Sequence, residues 1–409
     1  MFTWFTRFPK LNQLLHAELN LKLFILAVIF LGINDGAVQV TLHNYLVEIF
    51  GVGAIERGNL EFPRELPGFL VFFFISILFF LKENRIALLA SLSIFLGMIG
   101  LAFLTFSNLF VLIIWMFLWS LGMHVLMPVT NTMALDLSKR GQGGSRLGQM
   151  RGIRNFSFVV GAGLVGLLMG ILDLPYAAVY ASTGVLVLIG GFLYVQVQFK
   201  VPEEKKRFQF IVHKRYTLFY FLNLLFGVRK QMFLTFAPLV LILYHGLKVE
   251  HFSILFLISA SLSTFTSPFM GKLVDRLGER TILVIDSILL FAVTFGYAHI
   301  TSSWAGSAAT YILCGLFIFD HVMFGARVAH VTYLNKILIK KSHLTPTLSL
   351  GTTIDHLFAM SMPALGGLLW YFVSYQAVFY AVAGVAVLMF LCSFFVTGRE
   401  DPAIVQSTS

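Results

Sequence analysis

Apolar residues run through this chain in long blocks separated by short polar breaks. Blocks near residues 22–47, 60–81, 86–107, 109–136, 148–172, 176–198, 216–243, 252–272, 281–300, 307–334, 347–372 and 376–397 stand out. Each reaches the ~20 residues that a helix needs to cross hydrocarbon. Backbone N–H and C=O groups find no water at that depth, so each block is predicted to be helical. The strands of a membrane β-barrel would alternate apolar and polar positions over about ten residues, and these blocks do not. The pattern therefore predicts an all-α integral membrane protein with twelve transmembrane helices. The first 20 residues, MFTWFTRFPKLNQLLHAELN, mix aromatic, basic and acidic side chains, which suits an interfacial segment. The block that follows is longer than a signal-peptide core and contains Asp35, so no cleavage is expected.

Composition strengthens this picture. The 409 residues are 58% hydrophobic and only 12% charged, against about 25% charged in soluble domains. That excludes a cytosolic enzyme, a disordered chain and a nucleic-acid module. The net charge of +10 is concentrated in alternate breaks between blocks. With both termini in the cytoplasm, most Lys and Arg fall on the inner face, as basic loops should. The outer loops are then left with Arg57 and Lys248. Cys314 and Cys392 both lie in apolar blocks and form neither a disulfide framework nor a zinc spacing. Gly141–Gly148 (GQGGSRLG) lacks the Gly-Lys-Ser/Thr ending of a phosphate loop. Neither Gly-x-Ser-x-Gly nor His-Glu-x-x-His occurs. No catalytic residue, cofactor or resident metal is expected, and the chain is not read as an enzyme.

The chain also repeats itself in the same sense. Gly32 and Gly227 lie 195 residues apart, as do Gly51 and Gly246. His124-Val125 returns as His321-Val322 at an offset of 197, and Val165-Gly166-Leu167-Leu168 returns as Gly366-Gly367-Leu368-Leu369 at 201. This predicts two six-helix bundles, residues 1–199 and 216–409, joined by a charged cytoplasmic linker at 200–215 (KVPEEKKRFQFIVHKR). Between blocks eight and nine stands Gly271-Lys-Leu-Val-Asp275-Arg276-Leu-Gly278-Glu-Arg280. Gly271 would allow close helix approach, and Gly278 a tight reversal. Asp275 would face the positive N-terminus of the next helix and nearby arginines. Such a loop could latch one conformation and release the other.

The repeated plan and this loop resemble the major facilitator superfamily and its signature loop. The corresponding first-half segment, Phe79-Phe80-Leu81-Lys82-Glu83-Asn84-Arg85, lacks the Asp and the glycines. The resemblance implies alternating access, with blocks 1, 4, 7 and 10 lining a central cavity. Block 5, Gly161-Ala-Gly163-Leu-Val-Gly166, partly resembles the Gly–Pro signature of facilitator-type antiporters, with Ala162 at the Pro position. That tilts the expected direction toward efflux.

Charged residues inside the blocks carry the chemistry. Asp35, Arg229, Lys230, Asp320, Arg327 and Asp355 all lie at depth. Facing lipid, each would cost about 3 kcal/mol, so they are expected to face a cavity or one another. Asp35 and Gln39 share a face of block 1, and Asn223, Gly227 and Lys230 share one of block 7. Asp320, Met323, Arg327 and His330 fall on one stripe of block 10 by helical spacing. Block 4 adds His124, block 10 adds His321, and block 11 adds His356 beside Asp355. The repeat sets Asp35 opposite Lys230, and Arg154 of block 5 at the place of Asp355. The expectation is that acids and bases of opposing halves pair across one cavity, with Asp35 and Asp320 carrying protons. Glu61, Arg64 and Glu65, ahead of Pro67, are a candidate outer gate pairing with block 11 or 8.

The function expected is proton-coupled secondary transport of a small organic solute across the plasma (cell inner) membrane by a multi-pass monomer in contact with lipid, with no nucleic-acid partner. Two alternatives stand beside it. A copper-type transition-metal transporter could use Met123, His124, Met127, His321, Met323, His356 and Met360 as soft ligands. A scaffold or receptor on the same fold would transport nothing.

Overall fold

The computed structural model describes residues 9–78, 80–138, 143–198, 212–300, 306, 308–340 and 343–396. Among these, the chain is almost entirely helical and contains no strand. The helices are α1 (Pro9–Phe50), α2 (Ala54–Ile77), α3 (Glu83–Phe103), α4 (Leu109–Asp136), α5 (Gly143–Leu172), α6 (Tyr176–Gln196), α7 (Thr217–His245), α8 (Val249–Leu277), α9 (Glu279–His299), α10 (Ala308–Met323), α11 (Val328–Ile337), α12 (Leu344–Phe372) and α13 (Tyr375–Ser393). Ten helical segments of the described residues are long and apolar enough to cross a membrane, with α10 and α11 counted together. α2 and α12 fall outside that set. α2 carries Glu56, Arg57, Glu61, Arg64 and Glu65 within its first three turns, which lowers its apolar content.

Two compact units divide the chain: Met1–Leu42 with Leu70–Lys205, and His43–Phe69 with Lys206–Ser409. The hairpin from the end of α1 into α2 thus belongs with the later helices. The linker expected at 200–215 lies largely outside the described residues.

In the first unit, α3 packs against α4 and α6. α1 meets α5 where Gly32 abuts the backbone of Arg154 and the side chain of Ser157. In the second unit, α7 is the most enclosed helix and packs against α12 and α13. There Gly227 abuts the backbone of Asp355. Gly32 and Gly227 are one of the sequence-repeat pairs, and Arg154 and Asp355 are repeat-related too. The same backbone-to-backbone approach therefore occurs once in each unit.

Helix ends repeat as well. Gly51 and Gly246 terminate α1 and α7 with φ of 61° and 65°, a left-handed conformation that glycine adopts without steric cost. The amides of Gly51 and Val52 bond the carbonyls of Val47 and Leu46 at 3.0 and 3.2 Å. Those of Gly246 and Leu247 bond Ile242 and Leu241 at 3.1 and 3.0 Å. All four residues in each motif keep the offset of 195.

The tenth apolar block is not one continuous α-helix. α10 ends at Met323, Phe324–Arg327 form a 3₁₀ turn, and α11 follows. A 3₁₀ turn advances by three residues rather than 3.6, so the stripe Asp320, Met323, Arg327, His330 expected from uniform helical spacing is broken between its members.

Candidate functional site

Within the first unit, Asp35 on α1 accepts from Arg154 on α5, at 2.7 Å to Nε and 2.6 Å to Nη2. Both contacts fall on Oδ2. The other oxygen, Oδ1, is buried and accepts from no side chain or backbone group among the described residues. Gly32 lets α5 approach α1 three residues before Asp35, which places the guanidinium against the carboxylate. Gln39 lies one turn further along α1, partly exposed like Asp35. Asn34 is fully buried beside them, and neither of its side-chain polar atoms is bonded to a described residue.

The second unit holds the corresponding pair with its charges inverted. Lys230 on α7 donates to Asp355 on α12 at 2.8 Å, and Arg327 donates to the other oxygen of Asp355 at 3.0 Å. Asp35 and Lys230 are repeat-related, as are Arg154 and Asp355. One unit therefore carries acid on its first helix and base on its fifth, and the other carries the reverse.

Expected and observed pairings differ here. Asp35 is held by Arg154 rather than by Lys230, because α1 and α5 are pressed together at Gly32. Asp320 is likewise committed inside its own unit. Arg229, only 1% exposed, lies between Asp286 on α9 and Asp320 on α10, at 3.1 and 3.0 Å. Oδ2 of Asp320 is buried and has no bonding partner among the described residues. Asp320 and Arg327, read as one stripe, thus serve two separate clusters, Asp320 ahead of the 3₁₀ turn and Arg327 at its last residue. The ring of Phe226 lies between them, 5.7 Å from the Arg229 guanidinium and 4.7 Å from that of Arg327.

A further charged cluster joins α2 to α7 and α12 within the second unit. Arg57 pairs with Glu61, and Arg64 bridges Glu61 and Glu65 at 2.5 Å to each. Gln231 on α7 donates to Glu61 at 2.7 Å, and His356 on α12 lies 2.9 Å from Glu65 through Nδ1. His43 on α1 receives Arg57 at 3.3 Å. Gly58 abuts the backbone at Pro363, and Gly367 abuts that at Ala54, so α2 and α12 are closely packed. Arg57 is not the loop residue expected from sequence: it is 3% exposed, inside α2. The loop reading failed because five charges in ten residues resemble a solvated segment, whereas here Arg57 and Arg64 are paired with Glu61 and Glu65 inside the helix.

The remaining expected residues are less concentrated. His124 and His321 each place Nδ1 2.9 Å from the carbonyl four residues earlier, Ser120 and Phe317, another feature that keeps the repeat offset. Asn223 donates to its own helix at Phe219, 2.7 Å away. In the loop after α8, Gly278 has φ of 80° and makes the expected reversal. Gly271, however, faces open space rather than a neighbouring helix. Asp275 is exposed and does not cap α9; Arg276 and Arg280 are exposed too, Arg280 lying over the ring of Phe394. The acid that engages is the next one, Glu279, 2.8 Å from Lys336 on α11.

Sequence reading overlooked Asp286, Gln231 and His43. Asp286 lies seven residues into α9 and resembles a helix-end charge. The six charges noted at depth already balanced, three acids against three bases, so nothing in their count called for Asp286; its signal was its place inside the apolar block at 281–300.

No curated protein matches the sequence. Among solved structures, a mutant form of the nucleoside transporter NupG superimposes with a TM-score of 0.77 at 13% identity, covering 92% of this chain and 99% of that one. A bacterial homologue of the iron transporter ferroportin, in an inward-facing state, gives 0.72 at 14% identity over 93% and 99%. A D-xylose–proton symporter gives 0.65 at 12% over 93% and 98%. At such identities these likenesses speak for the fold. The sequence profile described as Major Facilitator Superfamily matches residues 24–336, more than half of the chain. The chain belongs to the Major Facilitator Superfamily, a family of non-enzymatic, multi-pass membrane transporters.

Proposed function

We propose that this chain is a proton-coupled secondary transporter that moves a small organic solute by alternating access. In this reading it crosses the plasma membrane twelve times, with both termini in the cytoplasm. The observation that carries the reading is the pair of repeat-related, charge-inverted ion pairs, Asp35–Arg154 and Lys230–Asp355. A charge at membrane depth costs about 3 kcal/mol on the insertion scale, so four such residues kept in equivalent places call for a use beyond packing. A carboxylate held by a base stays ionised; drawn away from that base in apolar surroundings, it takes a proton. Asp35, with one oxygen unbonded among the described residues, is the carrier this chemistry favours. A solute that engages Arg154 releases Asp35 from its base, and the freed carboxylate takes a proton. The α2 cluster of Glu61, Arg64 and Glu65 acts as a gate by its contact with His356 on α12.

The test is transport in proteoliposomes. A thermal-stability screen over metabolites first identifies a solute, since ligands that bind the folded state raise its apparent stability. Asp35→Asn should then retain counterflow of that solute and lose accumulation driven by an imposed pH gradient. Undiminished proton-driven accumulation in Asp35→Asn would remove Asp35 from the mechanism.

A further inference from the structure

A cleft of about 170 Å³ opens in the first unit between α1, α4 and α5. Its lining mixes two chemistries. Phe24 and Leu31 on α1, Met127 on α4 and Met150 on α5 are apolar. Arg151 and Arg154 on α5, with Thr130 and Asn131 on α4, are basic or polar. No acidic residue lines the cleft. Arg154 has Asp35 as its partner, whereas Arg151, three residues earlier and on the same face of α5, makes no ion pair with any described residue. Two guanidinium groups against one carboxylate leave one positive charge in excess beside apolar side chains. Arginine offers a planar fork of donors matched to carboxylate and phosphate, and the Asn131 amide adds two more.

We infer that this cleft binds an anionic amphiphile: a carboxylate or phosphate head seated on Arg151 and Arg154 beside Asn131, with a short apolar body against Phe24, Leu31 and Met150. The inference rests on the transporter reading and names the class of solute for it. The same chemistry is presented by a dissolved organic anion and by an acidic lipid headgroup.

The experiment uses the purified full-length chain in phosphatidylcholine nanodiscs, with melting followed as octanoate, octanamide or octylammonium is added. Octanoate should raise the melting temperature, and the neutral and cationic analogues should not. Arg151→Gln should melt as the wild type does without ligand and bind octanoate about tenfold or more weakly, the loss of one charge-assisted contact. Asn131→Ala should weaken it less. Nanodiscs that include phosphatidylglycerol separate the two sources. A wild-type octanoate shift suppressed by that lipid, with Arg151→Gln indifferent to it, assigns the cleft to a headgroup; a shift that persists assigns it to a dissolved anion. An equal response to octanamide, or an octanoate affinity unchanged in Arg151→Gln, overturns the inference. Proton-driven transport that still depends on Asp35 would then leave the transporter reading standing without the anion site.

Discussion

Arg229 is among the largest fully enclosed side chains in the protein, and its two acids outnumber it. The imbalance makes the effects of mutation asymmetric. Removing one partner of a buried ion pair costs about 3–5 kcal/mol, because a charge is left without compensation. Arg229→Gln leaves both Asp286 and Asp320 uncompensated, and should lower stability by about that much or prevent accumulation of folded protein. Asp286→Asn leaves Arg229 paired with Asp320 at 3.0 Å, and should cost about 1 kcal/mol, the order of one hydrogen bond. Chemical denaturation of the two variants in detergent checks the order; equal losses would mean that Asp286 contributes as a charge rather than as a hydrogen-bond acceptor. Most residues charged at depth were legible in the sequence, since an ionisable group in an apolar block needs no alignment to be seen; Asp286 and Arg57 were not read as such. Their partners were not, because pairing depends on which helices touch, and that is set by small residues such as Gly32 and Gly227 rather than by charge.

Helices meet where glycines allow it, and the two kinds of glycine in this chain differ sharply. A side chain at Gly227 would strike the backbone of Asp355 on α12, whereas one at Gly271 meets nothing within 4 Å. Gly227→Ala should therefore force α7 from α12, lose the Lys230–Asp355 contact and cost about 1–3 kcal/mol, as overpacking does. Gly271→Ala should be neutral or raise stability by up to about 1 kcal/mol, the helix-propensity difference between the two residues. Melting temperatures compare them directly. A damaging Gly271→Ala would mean that this position is packed in another conformation of the transporter, as its place in the signature loop suggests. The 3₁₀ turn at Phe324–Arg327 was not legible from periodicity, which assumes one uniform helix. Gly325 within the block was the local hint. The Gly278 reversal was legible, because a glycine between two apolar blocks has few other uses.

For the whole molecule, the helical class was readable in the order of apolar blocks, and the family in the repeated plan together with the loop Gly271–Arg280. The grouping of the chain was less so: His43–Phe69 is assigned with Lys206–Ser409. Its attachments include the amide of Asn44 donating to the Leu247 carbonyl at 2.9 Å, Gln231 to Glu61, and His356 to Glu65. Sequence order cannot reveal this, since those contacts join residues 170 or more positions apart.

That grouping bears on how the protein can be assembled from pieces. A gene severed after codon 205 would yield an amino-terminal product whose hairpin keeps its internal Arg57–Glu61 and Arg64–Glu65 pairs. It would lack the amide, imidazole and glycine surfaces that otherwise receive it. Made alone, this product should be degraded by quality control; made alongside 206–409, it should persist and co-purify with it. Immunoblots of the separate and joint expressions would show the difference, and an equally abundant solitary product would mean that the hairpin is content in lipid by itself. For biogenesis, the hairpin meets its partners only once the chain has been synthesised through α12.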